Sequence, residues 1–108
     1  MITDKNEIGK ALKVEHFFCE GLYTKRMEIP AGLQVGKHVH DFTHHSQLAK
    51  GSVLLDVDGT VTEHTAPAYL IVEAGKRHVI TAITDAVWFC THVTDETDPD
   101  KIDESLIA

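Results

Sequence analysis

The sequence predicts an all-β fold, an antiparallel barrel or sandwich, and three observations carry that expectation. Short apolar or alternating runs recur along the chain with turn residues between them, which is the spacing of strands. Asp58-Gly59 stands directly between two β-rich runs, and an Asp-Gly pair in that setting marks a two-residue hairpin. Helical periodicity is weak almost throughout, so no long helix competes with strands for the middle of the chain.

The elements follow in order. Residues 22–29 read as a strand that stops at Pro30-Ala31-Gly32, a turn cluster. Residues 46–48 and 53–57 flank Gly51 as two strands, and residues 61–64 form the returning strand after Asp58-Gly59. The run Tyr69-Leu70-Ile71-Val72 is fully apolar and short, the signature of a buried strand. Residues 78–83 and 87–93 complete the series, with Thr84-Asp85 between them. Two stretches are read as short helices: residues 6–13, and residues 99–107, where Asp98 supplies a cap and Pro99 a first turn.

Composition excludes several classes of function. With 108 residues, 43% hydrophobic and 25% charged, the chain is one packed domain, 1–108, rather than a disordered segment. No apolar run approaches the roughly 18 residues of a membrane span, and residues 1–13 are polar and mixed in charge, unlike a signal peptide. The formal net charge of −7 is concentrated in an acidic C-terminal tail, 95–108, read as a solvated terminus. Without a basic stripe to track phosphates, nucleic acid is not an expected partner. Cys19 and Cys90 lack CxxC spacing, so reduced thiols and a cytoplasmic location are expected; Cys90, in an apolar run, packs as a small hydrophobe.

The count that asks for an explanation is eight histidines: His16, His38, His40, His44, His45, His64, His78 and His92. Histidine is the commonest metal ligand. On an extended strand, side chains at i and i+2 share a face, so His38 and His40 point at one spot. His44 joins them if the chain bends around Asp41-Phe42-Thr43. His78 is the natural fourth ligand, because it opens a strand whose alternate positions, Ile80 and Ala82, are apolar and so face the interior. His45 is adjacent to His44 and faces the other way, to solvent or a subunit contact. His92 shares a face with Trp88 and Cys90 and is a pocket candidate, weighed against an ordinary strand histidine. His16 and His64 are read as surface residues. Phe42, Tyr23, Tyr69, Trp88 and Phe89 are read as core, with one or two open to line the pocket, and Asp41 and Glu73 as solvated turn carboxylates, with orienting groups or a general base as the alternatives.

Over residues 21–93 the chain resembles the cupin superfamily. Its first motif, G-x5-H-x-H-x3,4-E-x6-G, is matched at Gly32, His38, His40 and Gly51, with His44 in the place usually held by Glu. Because the motif allows three or four intervening residues, His45 is the alternative, but His44 leaves the right spacing to Gly51. The second motif, G-x5-P-x-G-x2-H-x3-N, is met at Gly75 and His78, while Pro67, Glu73 and Ala82 replace its usual Gly, Pro and Asn. Exchange of Glu for His is similar to small four-histidine cupins, some of which bind manganese. The resemblance implies a double-stranded β-helix jelly roll, a homodimer, and one divalent transition metal on His38, His40, His44 and His78. Manganese or iron is favoured, with nickel, copper and zinc also suited to imidazole.

Four neutral imidazoles leave the ion's double charge uncompensated and two octahedral positions open. That favours a small-molecule substrate offering anionic or bidentate oxygen. The implied function is an oxidoreductase of dioxygenase type on a small oxygenated molecule. The alternatives are a redox-neutral isomerase or lyase, and a non-catalytic metal- or ligand-binding module.

Overall fold

The computed structural model describes residues 12–36, 43–94 and 97–98, with His44 described in its backbone alone. Among these, nine strands and no helix are found: β1 (Lys13–Cys19), β2 (Leu22–Ile29), β3 (Gln34–Val35), β4 (His44–Lys50), β5 (Ser52–Val57), β6 (Thr60–Thr65), β7 (Ala68–Val72), β8 (His78–Ala82) and β9 (Ala86–Val93). They form two antiparallel sheets, ordered β1-β2-β9-β4-β7 and β3-β8-β5-β6. None of the described residues forms a helix long and apolar enough to cross a membrane.

Strands β2 and β4–β9 answer the sequence pattern, the short strand β3 is not anticipated by it, and the expected hairpin is present. Asp58 and Gly59 both take positive φ, 48° and 92°, which matches the right-handed twist of β5 and β6 on either side. Asp56 Oδ1 accepts the Gly59 N–H at 2.8 Å and fixes that turn.

Two expectations are corrected. Lys13 does not end a helix; it opens β1, whose residues alternate between exposed Lys13, Glu15, Phe17 and Cys19 and half-buried Val14, His16 and Phe18. Residues 6–11 and the expected helix at 99–107 lie outside the described residues. The run ending at Val72 is not buried on both faces. It is the edge strand β7, whose outer positions Tyr69 and Ile71 are 55% and 57% exposed, so Tyr69 is not a core residue.

The core fills the space between the sheets with Ile29, Leu33, Leu48, Val53, Ala82 and Trp88, all almost fully buried. Gly51, at φ 84°, carries the chain from β4 into β5 at one end of this core, where an added Cβ would run into the carbonyl of Asp85 and crowd Thr84. Both sheets can be measured from this corner. β4 runs back from it to His44, and β5 runs forward to Val57, whose register partner is His78. His44 and His78 therefore start strands at the same far end of the barrel, one in each sheet.

Candidate metal centre

His78 is held from three sides. Its backbone pairs with Val57 of β5. Asp58 clamps the preceding residue: its Oδ1 accepts the Arg77 N–H at 2.8 Å, and its own N–H donates to the Arg77 carbonyl at 3.0 Å. On the other flank Gly36 approaches so closely that a Cβ would lie 3.1 Å from the His78 carbonyl. The side chain is 3% exposed and alternates with Ile80 and Ala82, both core residues, so it faces the interior as the sequence predicts.

The ring's hydrogen bond fixes its chemistry. His78 Nδ1 lies 2.9 Å from the carbonyl oxygen of Lys76. A carbonyl only accepts, so Nδ1 carries the proton and Nε2 carries the lone pair. Burial holds the imidazole below its ordinary pKa and favours the neutral form; the bond to the Lys76 carbonyl opposes this more weakly. A neutral ring with one nitrogen tied to a carbonyl is the form in which histidine binds a metal. The nearby carboxylate Glu73 does not orient it. Glu73 pairs with Lys76 at 2.9 Å on the surface, and that contact lowers its pKa.

The other expected ligands are less fully described. His44 opens β4 with its backbone paired to Val72, two residues before buried Ser46. His38, His40, Asp41 and Phe42 lie outside the described residues. Among the described residues no group of three His, Cys, Asp or Glu side chains is placed to hold a metal ion.

A second set of polar side chains lines the inner face of the five-stranded sheet at this same end. His92 is 6% exposed, and its Nδ1–H donates to the Val93 carbonyl at 2.9 Å. Its edge meets the ring of fully buried Tyr23, its register partner, at a centroid distance of 5.3 Å. Tyr23 Oη in turn shares a 2.6 Å hydrogen bond with His16 Nδ1, and the two rings stack at 5.7 Å. His16 is thus not the isolated surface residue that the sequence implies. It faces inward from β1, opposite Lys25 of β2.

Lys25 alternates with buried Tyr23 and Met27 and is itself half-buried. Cys90, opposite Lys25 on β9, is more than a small hydrophobe. Its sulfur accepts the Trp88 indole N–H at 3.1 Å and the Ser46 hydroxyl at 3.7 Å, while burial pushes the thiol pKa up. Of the remaining histidines, His45 is exposed, as expected, and hydrogen-bonds the Tyr69 hydroxyl on the outer face. His64 is half-buried and bonds Thr62 Oγ1 at 2.8 Å.

The two antiparallel sheets have the arrangement of a jelly-roll barrel of cupin fold. Solved structures agree. Over 86% of this chain and 83% of the other, it superposes on an RmlC-like cupin from Shewanella frigidimarina NCIMB 400 with a TM-score of 0.73 at 22% identity. The Schizosaccharomyces pombe Cnp3 cupin domain matches over 90% of this chain and 73% of its own, with a TM-score of 0.68 and 20% identity. A salicylate 1,2-dioxygenase from Pseudoaminobacter salicylatoxidans, in complex with gentisate, matches 76% of this chain at 12% identity and a TM-score of 0.70. This chain spans only 25% of that enzyme. No family model and no curated protein sequence matches the chain.

Proposed function

We propose that this protein is a metal-dependent cupin enzyme in which His38, His40, His44 and His78 hold one divalent transition-metal ion, manganese or iron. The proposed reaction is an oxidation of dioxygenase type on a small oxygenated molecule. The observation that carries the reading is the state of His78: 3% exposed, inward, with Nδ1 committed to the Lys76 carbonyl. A buried, inward-facing imidazole with Nδ1 bonded to a carbonyl suits a metal donor, and the H-x-H-x3-H run starting at His38 adds three more of the same kind. The fold shared with a salicylate dioxygenase supports the oxidative class.

When bound, the ion supplies Lewis-acid and redox chemistry at the positions that four imidazoles leave open. The chain's own contribution is positional. The Asp58–Arg77 clamp and the Lys76 carbonyl hold the His78 ring in place, and it shares its face of β8 with the core residues Ile80 and Ala82. The free thiols Cys19 and Cys90 accord with a cytoplasmic protein. Exposed Tyr69 and Ile71 on edge strand β7 give a homodimer a surface to cover, which light scattering reads directly.

Elemental analysis of protein never exposed to chelator tests the proposal. The expected result is about one transition-metal ion per chain, lost in His78→Ala and kept in His64→Ala. Equal metal in the two variants removes His78 from the ligand set. Oxygen uptake by the iron- or manganese-loaded protein with catechols and 2-oxo acids then separates the oxygenase from a redox-neutral enzyme.

A further inference from the structure

At the end of the barrel opposite His78, a solvent-open cleft of about 250 Å³ lies across four strands of the larger sheet. That is the space of about eight water molecules, enough for a small ligand. The register builds it. Lys13 of β1 faces Glu28 of β2, Glu28 faces Val87 of β9, and Val87 faces Lys50 of β4. One row thus runs from lysine to lysine, about 14 Å along the sheet at the usual strand spacing. Val87 and Pro30, both half-buried, supply apolar surface between the two ends.

Each end carries a charge that no described side chain neutralises. A lysine facing a glutamate across antiparallel strands ordinarily pairs with it. Here Arg26 takes that glutamate: its guanidinium donates to Glu28 at 3.3 Å and to Glu15, which shares the outer face of β1 with Lys13, at 3.0 Å. The Phe89 ring, 5.9 Å from the guanidinium carbon, holds Arg26 on this face. Asp85, the cleft's other carboxylate, accepts the Ala31 N–H through Oδ1 at 2.9 Å. Among the described residues neither Lys13 nor Lys50 has a salt bridge or a side-chain hydrogen bond, and both are exposed.

We infer that this cleft binds a small dicarboxylate with an aliphatic spacer, one carboxylate on each lysine ammonium and the spacer over Val87 and Pro30. The arrangement of charge selects that class. One exposed lysine holds an anion weakly, whereas two that engage the same molecule raise its affinity through effective concentration. A compact anion midway along the row would meet the carboxylate of Glu28, so the ligand's charges belong at its ends. Flexible four-carbon stems let the two ammonium groups close on such a molecule. The net charge of −7 gives no general pull on anions; the attraction is local to this row. The site stands at the opposite end of the barrel from the proposed metal and owes nothing to it.

The test is an NMR titration of the isotope-labelled protein, metal included, with suberate, an eight-carbon dicarboxylate. Octanoate keeps the chain length and loses one charge, and inorganic phosphate serves as the compact anion. Suberate is expected to shift the amides of residues 28–29 and 85–87 and to bind at least about 10-fold more tightly than either. Lys13→Met and Lys50→Met should each weaken suberate about 10-fold, and raised salt should weaken it in the native chain. Lys76→Met, at the far end and paired with Glu73, should leave it unchanged. Lys13→Gln and Lys50→Gln repeat the measurement if a methionine variant loses its dispersed spectrum. Suberate binding no tighter than octanoate or phosphate, binding indifferent to either cleft lysine, or shifts confined to residues 76–80 at the metal end would overturn the inference.

Discussion

The two ends of the barrel are made by the same strands from opposite materials. Around Gly51 the inward positions are Ile29, Leu48, Val53, Ala82, Ala86 and Trp88, all buried to within a few per cent. A few residues along the same strands, at the far end, the inward positions are Tyr23, Lys25, His78 and His92. The first set obeys the rule that interiors are apolar and close-packed. The second breaks it in both sheets at the same level. A fold under pressure only to be stable would continue the aliphatic layers to the rim; the polar end accords with the proposed role of His78 as a metal ligand. On that proposal, stability and chemistry are separable along one axis.

Substitutions at the two ends should separate them experimentally. The largest expected effect is Trp88→Ala at the apolar end, which should lower the unfolding free energy by about 3–5 kcal/mol while folded protein keeps its metal. Chemical denaturation with parallel metal analysis reads both quantities, and His78→Ala should give the opposite result, with metal lost and the fold retained. If Trp88→Ala empties the site at full folding, the ends are coupled and the division fails.

The corner itself comes next. Gly51→Ala adds a clash with Asp85 to the positive-φ strain and should cost about 3 kcal/mol, whereas Gly59→Ala, with open space around its Cβ, should cost only about 1 kcal/mol. Equal losses in the two melting curves would remove the close approach from the explanation.

The smallest effect is a pH slope. Burial holds the folded His78 below its ordinary value of 6.5, so near that pH the unfolded chain binds more protons than the folded one. Its contribution to the stability of the metal-free protein is therefore fully present above that value and lost as the pH falls towards the folded pKa. Urea midpoints across about pH 7.5 to 5.5 should fall more steeply for the native chain than for His78→Gln. Parallel slopes would show that burial does not disfavour the charged ring.

Much of this was legible in the sequence where local pattern and final environment agree. β2 and β5–β9 announce themselves by alternation and turns, and His78 reads as inward because Ile80 and Ala82 flank it on the same face. The failures share a cause. Alternation assigns polar residues to solvent, so His16 is read outward and β1, whose inner face carries that histidine, is not recognised as a strand. Lys25 passes unnoticed for the same reason, although the order Tyr23-x-Lys25-x-Met27-x-Ile29 is itself the signal. Tyr69 fails in the other direction, because an unbroken apolar run does not reveal that its strand lies at a sheet edge.

The pairing of β2 with β9 also sets how the molecule must assemble. These strands run side by side from Leu22–Val93 to Ile29–Ala86, joining the first third of the chain to the last, and β9 is the central strand of its sheet. Contacts this far apart in sequence form slowly, because the chain must close a long loop before any of them rewards it. The Tyr23–His92 contact spans that closure. A chain in which β9 has not docked therefore lacks the centre of its sheet and the His92 side of that sheet's polar inner wall.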